Sequence, residues 1–256
     1  MEKKYKLTDE ILEVGGHVLH RIKALRDFGN VKKGDIGGWI ECEGNLSHCG
    51  DCWVYGNAIV YGNAEVRGDA EVRGNAKVLG DAEVRGEARV LGNAKVYGNA
   101  EVYGNAIVYG NAIVYGNAKV RGEARVLGDA KVYGNAEVYG NAIVYGNAKV
   151  LGDAEVYGDA EVYGNAKVLG DAKVLGDARV CGEAEVENKS DYIVFKNWWS
   201  SGRYFTWTRS NDMWTVGCFY GTGEELIKKA YNDSDESGRE YERIVKYVES
   251  IKQEFK

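Results

Sequence analysis

Gly56-Asn57-Ala58-Ile59-Val60-Tyr61 is followed at once by Gly62-Asn63-Ala64-Glu65-Val66-Arg67, and the same pattern runs unbroken to Glu187. Residues 56–187 are 22 consecutive copies of Gly-(Asn/Asp/Glu)-Ala-x-Val-z. Three looser copies precede them: Gly38-Trp39-Ile40-Glu41-Cys42-Glu43, Gly44-Asn45-Leu46-Ser47-His48-Cys49 and Gly50-Asp51-Cys52-Trp53-Val54-Tyr55, making 25 hexads over 38–187. A fixed short period sets the architecture before any local propensity does.

Within a hexad, Ala and Val are two residues apart, and so are x and z. In extended backbone this points Ala and Val inward and x and z to solvent. Glycine with its Asn, Asp or Glu neighbour suits the corner, where positive φ and side-chain turn hydrogen bonds are needed. Three flat faces close one 18-residue triangular coil, so 25 hexads give just over eight coils. At about 4.8 Å per coil the rod is roughly 40 Å long.

The repeat resembles the hexapeptide-repeat left-handed β-helix, in which an aliphatic residue is followed four positions later by a small one. Val60 and Ala64 fit that rule, as do Val66 and Ala70 and every later copy. The left hand is implied by the resemblance, not by the period. The segments Asp27-Phe28-Gly29-Asn30-Val31-Lys32-Lys33-Gly34 and Gly37-Gly38-Trp39, with Asn45-Leu46-Ser47 and Gly50-Asp51-Cys52-Trp53, are similar to the start of bacterial and phage hexapeptide-repeat proteins, some labelled transferases. The resemblance covers about residues 1–187 and implies a phage or prophage origin. Hexapeptide acyltransferases use a histidine base and loops inserted between coils. Residues 56–187 contain no His, Ser, Thr, Trp, Phe, Met, Gln or Pro and no insertion. General-base chemistry needs a group poised near neutral pH, so the reading is not an enzyme, with no catalytic residue and no cofactor.

Net charge is +2 over 1–37, −8 over 38–187 and 0 over 188–256, summing to −6. An acidic solenoid is a poor surface for phosphate neutralisation, which excludes nucleic acid as its partner. No apolar run approaches the length of a membrane span, and the N-terminus lacks a signal-peptide stretch. Five cysteines, Cys42, Cys49, Cys52, Cys181 and Cys218, lack framework spacing and fit a reducing cytoplasm.

An open solenoid end exposes its core and strand edges, so residues 1–37 are expected to form a β cap. Tyr5-Lys6-Leu7 and His17 to Leu25 read as extended, with Gly15-Gly16 as the turn. His17 and His20 face opposite ways on a strand and read as surface or hydrogen-bonded histidines. Residues 188–256 read as a C-terminal module. Three strands are expected, Tyr192–Lys196, Arg203–Arg209 and Met213–Phe219, followed by two helices opened by capping boxes at Thr222 and Ser237.

Folding the sequence at 18 residues sorts the outward positions. One face carries Lys77, Lys95, Ile113, Lys131, Lys149 and Lys167 at x. The next carries Glu65, Glu83, Glu101, Lys119, Glu137, Glu155 and Lys173. Arg67, Arg85 and Arg121 precede the corner acids Asp69, Glu87 and Glu123 and should be compensated by them. The third face stacks Ile107 and Tyr109 on Arg125 and Leu127 on Ile143 and Tyr145, the composition of an interface core. These six are the interface candidates.

In the first coil, Cys42 and His48 fall in Val slots and Cys52 in an Ala slot, so all three should point inward. Zinc with Cys, His and Cys ligands is conceivable, but buried thiols acting as small hydrophobes account for the residues without a metal. In the C-terminal module, alternation puts Arg203, Phe205, Trp207 and Arg209 on one strand face. With Thr222 at a helix N-terminus they are candidates for a nucleotide, a sugar or an anionic peptide. The sequence therefore reads as a non-catalytic β-solenoid scaffold for protein–protein interaction or self-association. Its alternatives are a ligand-binding or host-factor-blocking protein using the C-terminal module, and a degenerate acyltransferase relative.

Overall fold

The computed structural model describes residues 2–252; Met1 and residues 253–256 of the expected end modules lie outside them. Three parallel sheets form the solenoid. From Trp53 to Val186 each strand pairs with the strand 18 residues away, as Lys95 with Ile113, Glu101 with Lys119, and Ile107 with Arg125. The result is a mainly β, parallel β-solenoid of about eight turns. Successive coils are tied by backbone bonds from the second, fourth and sixth residues of each hexad. Asn105, Ile107 and Tyr109 donate to the carbonyls of Gly122, Ala124 and Val126 at 2.8–3.0 Å. The repeat's alanines and valines are buried to within 1%. Outward positions contribute little to this packing and are free to vary.

The corner explains the invariant glycine. All 22 repeat glycines have φ between +57° and +82°, a conformation that costs an L-residue about 1–2 kcal/mol. Corners also stack closely: a Cβ on Gly116 would sit 2.9 Å from the Gly134 carbonyl oxygen.

Both ends of the ladder are terminated by side chains. At the N-terminal end, strands Tyr5–Val14 and His17–Ala24 form an antiparallel hairpin. The hairpin joins strand Ile36–Ile40 and, through it, the lysine-bearing sheet. Lys4 is fully buried. Its ammonium donates to the carbonyls of Cys52 at 2.8 Å and Gly50 at 3.2 Å, and burial pulls its pKa down. The Tyr5 hydroxyl donates to Leu46 O, Arg21 to Gly56 O, and the Asn45 amide to the Gly62 and Ala64 carbonyls.

At the other end, a four-stranded antiparallel sheet lies across the last coil: Tyr192–Lys196, Tyr204–Thr208, Met213–Val216 and Phe219–Gly221. Its buried threonines face the solenoid. The Thr206 hydroxyl accepts from Arg179 N–H at 2.8 Å, and the Ser210 hydroxyl accepts from Glu185 N–H at 2.7 Å. Its aromatic face packs under helices α1 (Gly223–Asp233) and α2 (Asp235–Ile251).

Three expectations change. The third C-terminal strand divides in two, because Gly217 takes φ +58° and turns the chain. The second helix is capped by Ser234, whose hydroxyl accepts from Ser237 N–H, three residues before the expected Ser237 cap. Gly238 is instead a packing site, where a Cβ would meet the Tyr231 ring at 2.2 Å. Finally, the first hexads are out of phase with the expectation. Ile40 aligns with Val60 and Leu46 with Val66, so these residues, not Cys42 and His48, fill the Val slots. Two residues, His48 and Cys49, are then accommodated before Gly50 restores the phase.

The stacked corner can be tested by alanine. Gly116→Ala combines positive φ with a backbone clash and should cost about 2–3 kcal/mol. Gly176→Ala, with φ +64° and nothing within 4 Å of the added carbon, should cost only about 1 kcal/mol. Urea denaturation of the two variants measures the difference.

Candidate functional site

The sheets position the outward side chains in rows. On the glutamate face the charges are neutralised between coils. Arg85 reaches Glu101 at 2.6 Å, Arg121 reaches Glu137 at 2.7 Å and Lys173 reaches Glu155 at 2.6 Å. Arg67 pairs with Glu65. The expected pairing of these arginines with the corner acids Asp69, Glu87 and Glu123 is not what forms. The guanidinium swings along the face, where Arg85 and Arg121 also cover the rings of Tyr103 and Tyr139 at 4.4 Å. Lys173, with Tyr139 adding a hydrogen bond, holds the Glu155 carboxyl below the usual range.

The lysine face differs. Lys77, Lys95, Lys131 and Lys149 have no carboxylate partner among the described residues. Lys167 pairs with Glu185 at the end of the row. Beside the lysines, the rings of Tyr97, Tyr115 and Tyr133 stack on one another at 5.1 and 4.9 Å. The corner asparagines donate in series, Asn93 to Asn111 at 3.1 Å and Asn111 to Asp129 at 2.9 Å.

On the third face, Ile107, Arg125 and Ile143 lie side by side in adjacent strands. Tyr109 is 53% exposed, Arg125 is exposed, and Ile107, Leu127, Ile143 and Tyr145 are half-buried. Tyr145 stacks on Tyr163 at 4.8 Å. The structure therefore assembles all six interface candidates on one surface.

The C-terminal ligand candidates do not assemble. Phe205 and Trp207 are buried beneath the helices, in a core with Trp214, Leu226, Tyr241 and Val248. Period-two alternation correctly puts them on one face, but that face is the one the helices cover. Arg209 pairs with Asp191 at 3.6 Å. The Thr222 hydroxyl caps α1, accepting from Glu225 N–H while Glu225 accepts from Thr222 N–H at 2.8 Å. Arg203 alone remains in a cleft, one of about 470 Å³ with Asp159, Asp177, Arg179 and Tyr204 in its walls. The sequence shows these corner acids, but not that the module's Gly202 turn lies beside them.

The first-coil group does not converge either. Cys42 is exposed at a corner, and Cys52 is buried with its Sγ 3.3 Å from the Lys4 ammonium. His48 stacks on Tyr5 at 4.4 Å, and its Nδ1 accepts from Lys4 N–H. Among the described residues no three His, Cys, Asp or Glu side chains are grouped to hold a metal ion. His20 lies against the Thr8 carbonyl at 3.1 Å. His17 meets Glu41 at 2.9 Å, and the other Glu41 oxygen accepts from Gly62 N–H at 2.8 Å. This link from the cap hairpin to the first full coil has no sequence signature.

These features define a β-solenoid protein with capped ends and side-chain rows on its faces. Residues 94–110 and 100–116 match the family model described as YdcK beta solenoid repeat. No curated protein matches the chain. No described helix is long and apolar enough to cross a membrane.

Acid should loosen the N-terminal cap first. The hydrogen bond from His17, with that from Gly62 N–H, holds Glu41 below its ordinary pKa, and Lys3 does the same for Glu43. A depressed carboxylate pKa contributes stability above the ordinary value, about 4.3, and loses it as pH falls through the folded value. Amides of Tyr5–Val14 should therefore lose hydrogen-exchange protection below about pH 4 before those of the central coils do. Glu41→Gln should show part of that loss already at pH 7.

Proposed function

We propose that this protein is a non-catalytic scaffold whose rigid solenoid presents binding faces to a protein partner or to a second copy of itself. The observation that carries this reading is the stripe of Ile107, Tyr109, Arg125, Leu127, Ile143 and Tyr145. Outward positions have no packing reason to be apolar, because Ala and Val already fill the interior. An outward band of tyrosine, isoleucine and arginine on a flat, rigid face, with Tyr109 and Arg125 exposed and the others half-buried, has the composition of an interface core. A cytoplasmic setting is supported by five cysteines that lack the spacing of a disulfide framework, and the left-handed coil and the phage or prophage origin by the hexapeptide resemblance.

The stripe is tested by light scattering. The variant Ile107→Asp, Tyr109→Lys, Ile143→Asp, Tyr145→Lys should fold, with unchanged circular dichroism, and run at the 28.2 kDa chain mass. The parent chain should run at a multiple of it. A parent chain already at the monomer mass sinks the self-association version.

A second reading, a ligand-binding protein, is favoured by the cleft at Arg203. This guanidinium has no carboxylate partner among the described residues, and Tyr204 beside it is 39% exposed. Arg203 offers hydrogen-bond donors beside that ring, and the carboxylates of Asp159, Glu161 and Asp177 in the same walls favour a hydroxyl-bearing ligand such as a sugar. A thermal-shift screen with nucleotides and sugars should give stabilisation that Arg203→Ala removes. No shift across the screen would leave the scaffold reading alone.

A further inference from the structure

The lysine face differs from the glutamate face in how its charge is handled. Lys77, Lys95, Lys131 and Lys149 project from one sheet in coil register. Like charges one coil apart, at about 5 Å, repel one another. On the neighbouring face that repulsion is relieved by Arg85, Arg121 and Lys173. Here Lys167 pairs with Glu185 at the end of the row, but Lys77, Lys95, Lys131 and Lys149 form no ion pair among the described residues. Lys95, Lys131 and Lys149, with Ile113 in the same row, line a groove of about 550 Å³ together with the corner row of Asn93, Asn111, Asp129 and Asn147.

We propose that this groove binds an acidic segment of polypeptide, laid in extended form along the solenoid axis. Three features select that chemistry. The ammonium groups of Lys95, Lys131 and Lys149 match carboxylate side chains. The Asn93 and Asn111 amides each spend one N–H along the ladder, which leaves the second N–H for a peptide carbonyl. Half-buried Ile113 sits between the lysines and accepts an aliphatic side chain. Nucleic acid fits less well. The rings of Tyr97, Tyr115 and Tyr133 lie within 9° of parallel to one another, so their faces are already covered and offer bases no stacking platform. The groove lies on a different face from the apolar stripe. A chain that fails to self-associate can still bind the peptide, so the two readings fail separately.

The test is fluorescence anisotropy with a labelled peptide of alternating glutamate and leucine, added to the full chain at about 50 mM salt. Saturable binding is expected, weakening as salt rises. Lys95→Gln, Lys131→Gln, Lys149→Gln should lower the affinity by about tenfold or more. The control Lys228→Gln, Lys229→Gln on α1 should leave it unchanged. The triple variant should melt no lower than the parent, since it removes repulsion and breaks no ion pair. Should it misfold, Lys131→Glu alone, at an exposed position, must still weaken binding. Absence of saturable binding, an equal loss in the control, or tighter binding of a single-stranded oligonucleotide or inorganic polyphosphate would each overturn the proposal.

Discussion

A ladder of backbone hydrogen bonds running along an axis must stop somewhere, and the rest of this structure depends on how it stops. Inside the rod each coil satisfies its neighbours, and the pattern could continue indefinitely. At the ends it cannot: unpaired ladder groups in a buried setting cost about as much as lost hydrogen bonds, and an open edge invites another strand. The two terminations are built differently. At the start, donors borrowed from side chains, among them the buried Lys4 ammonium and the Tyr5 hydroxyl, reach the carbonyls of the first coils. At the finish, hydroxyls of Thr206 and Ser210 accept the N–H groups that a further coil would have used. A buried lysine is tolerated because three acceptors surround it, two carbonyls and the Cys52 sulfur.

Because Ala and Val settle the interior and glycine settles the corners, the exterior is released from folding duties. Its rows can be basic, acidic or apolar with little consequence for the coil beneath. That separation is why side-chain rows can be read as surface chemistry. The glutamate face spends its charges on internal pairs, the third face carries its isoleucines and tyrosines outward, and the lysine face pairs only Lys167 at its end among the described residues.

The solenoid was legible in the sequence because its period is strict and its two inward positions never change type. Legibility failed where strict repetition did. Cys42 and His48 were assigned to the interior by counting back from Gly50, but the chain fits two extra residues there, and Ile40 and Leu46 take the inward slots. In the C-terminal module, alternation grouped Phe205 with Trp207 correctly. Which side of a sheet meets solvent depends on where the helices pack, and that is a tertiary choice strand parity cannot express. The Arg203 cleft was invisible for a related reason: its walls come from coils and a turn that only the docked module brings together. The match to the YdcK beta solenoid repeat model falls on residues 94–116, inside the regular array, and leaves those end modules to be read from their own residues.

A three-sided coil with both ends fixed also behaves as a phase device. The C-terminal module docks on particular groups of the last coil, so its orientation follows from how many hexads precede it. Gain or loss of 18 residues lengthens or shortens the rod by one rise of about 4.8 Å and leaves every face under the same part of the module. Gain or loss of six would turn the module by about one third of a turn against the N-terminal hairpin. The lysine groove, the apolar stripe and the Arg203 cleft thus hold their mutual bearings only while the hexad count changes in threes. Duplication in the repeat is in this sense quantised: whole coils alter reach, and fractions of a coil alter direction.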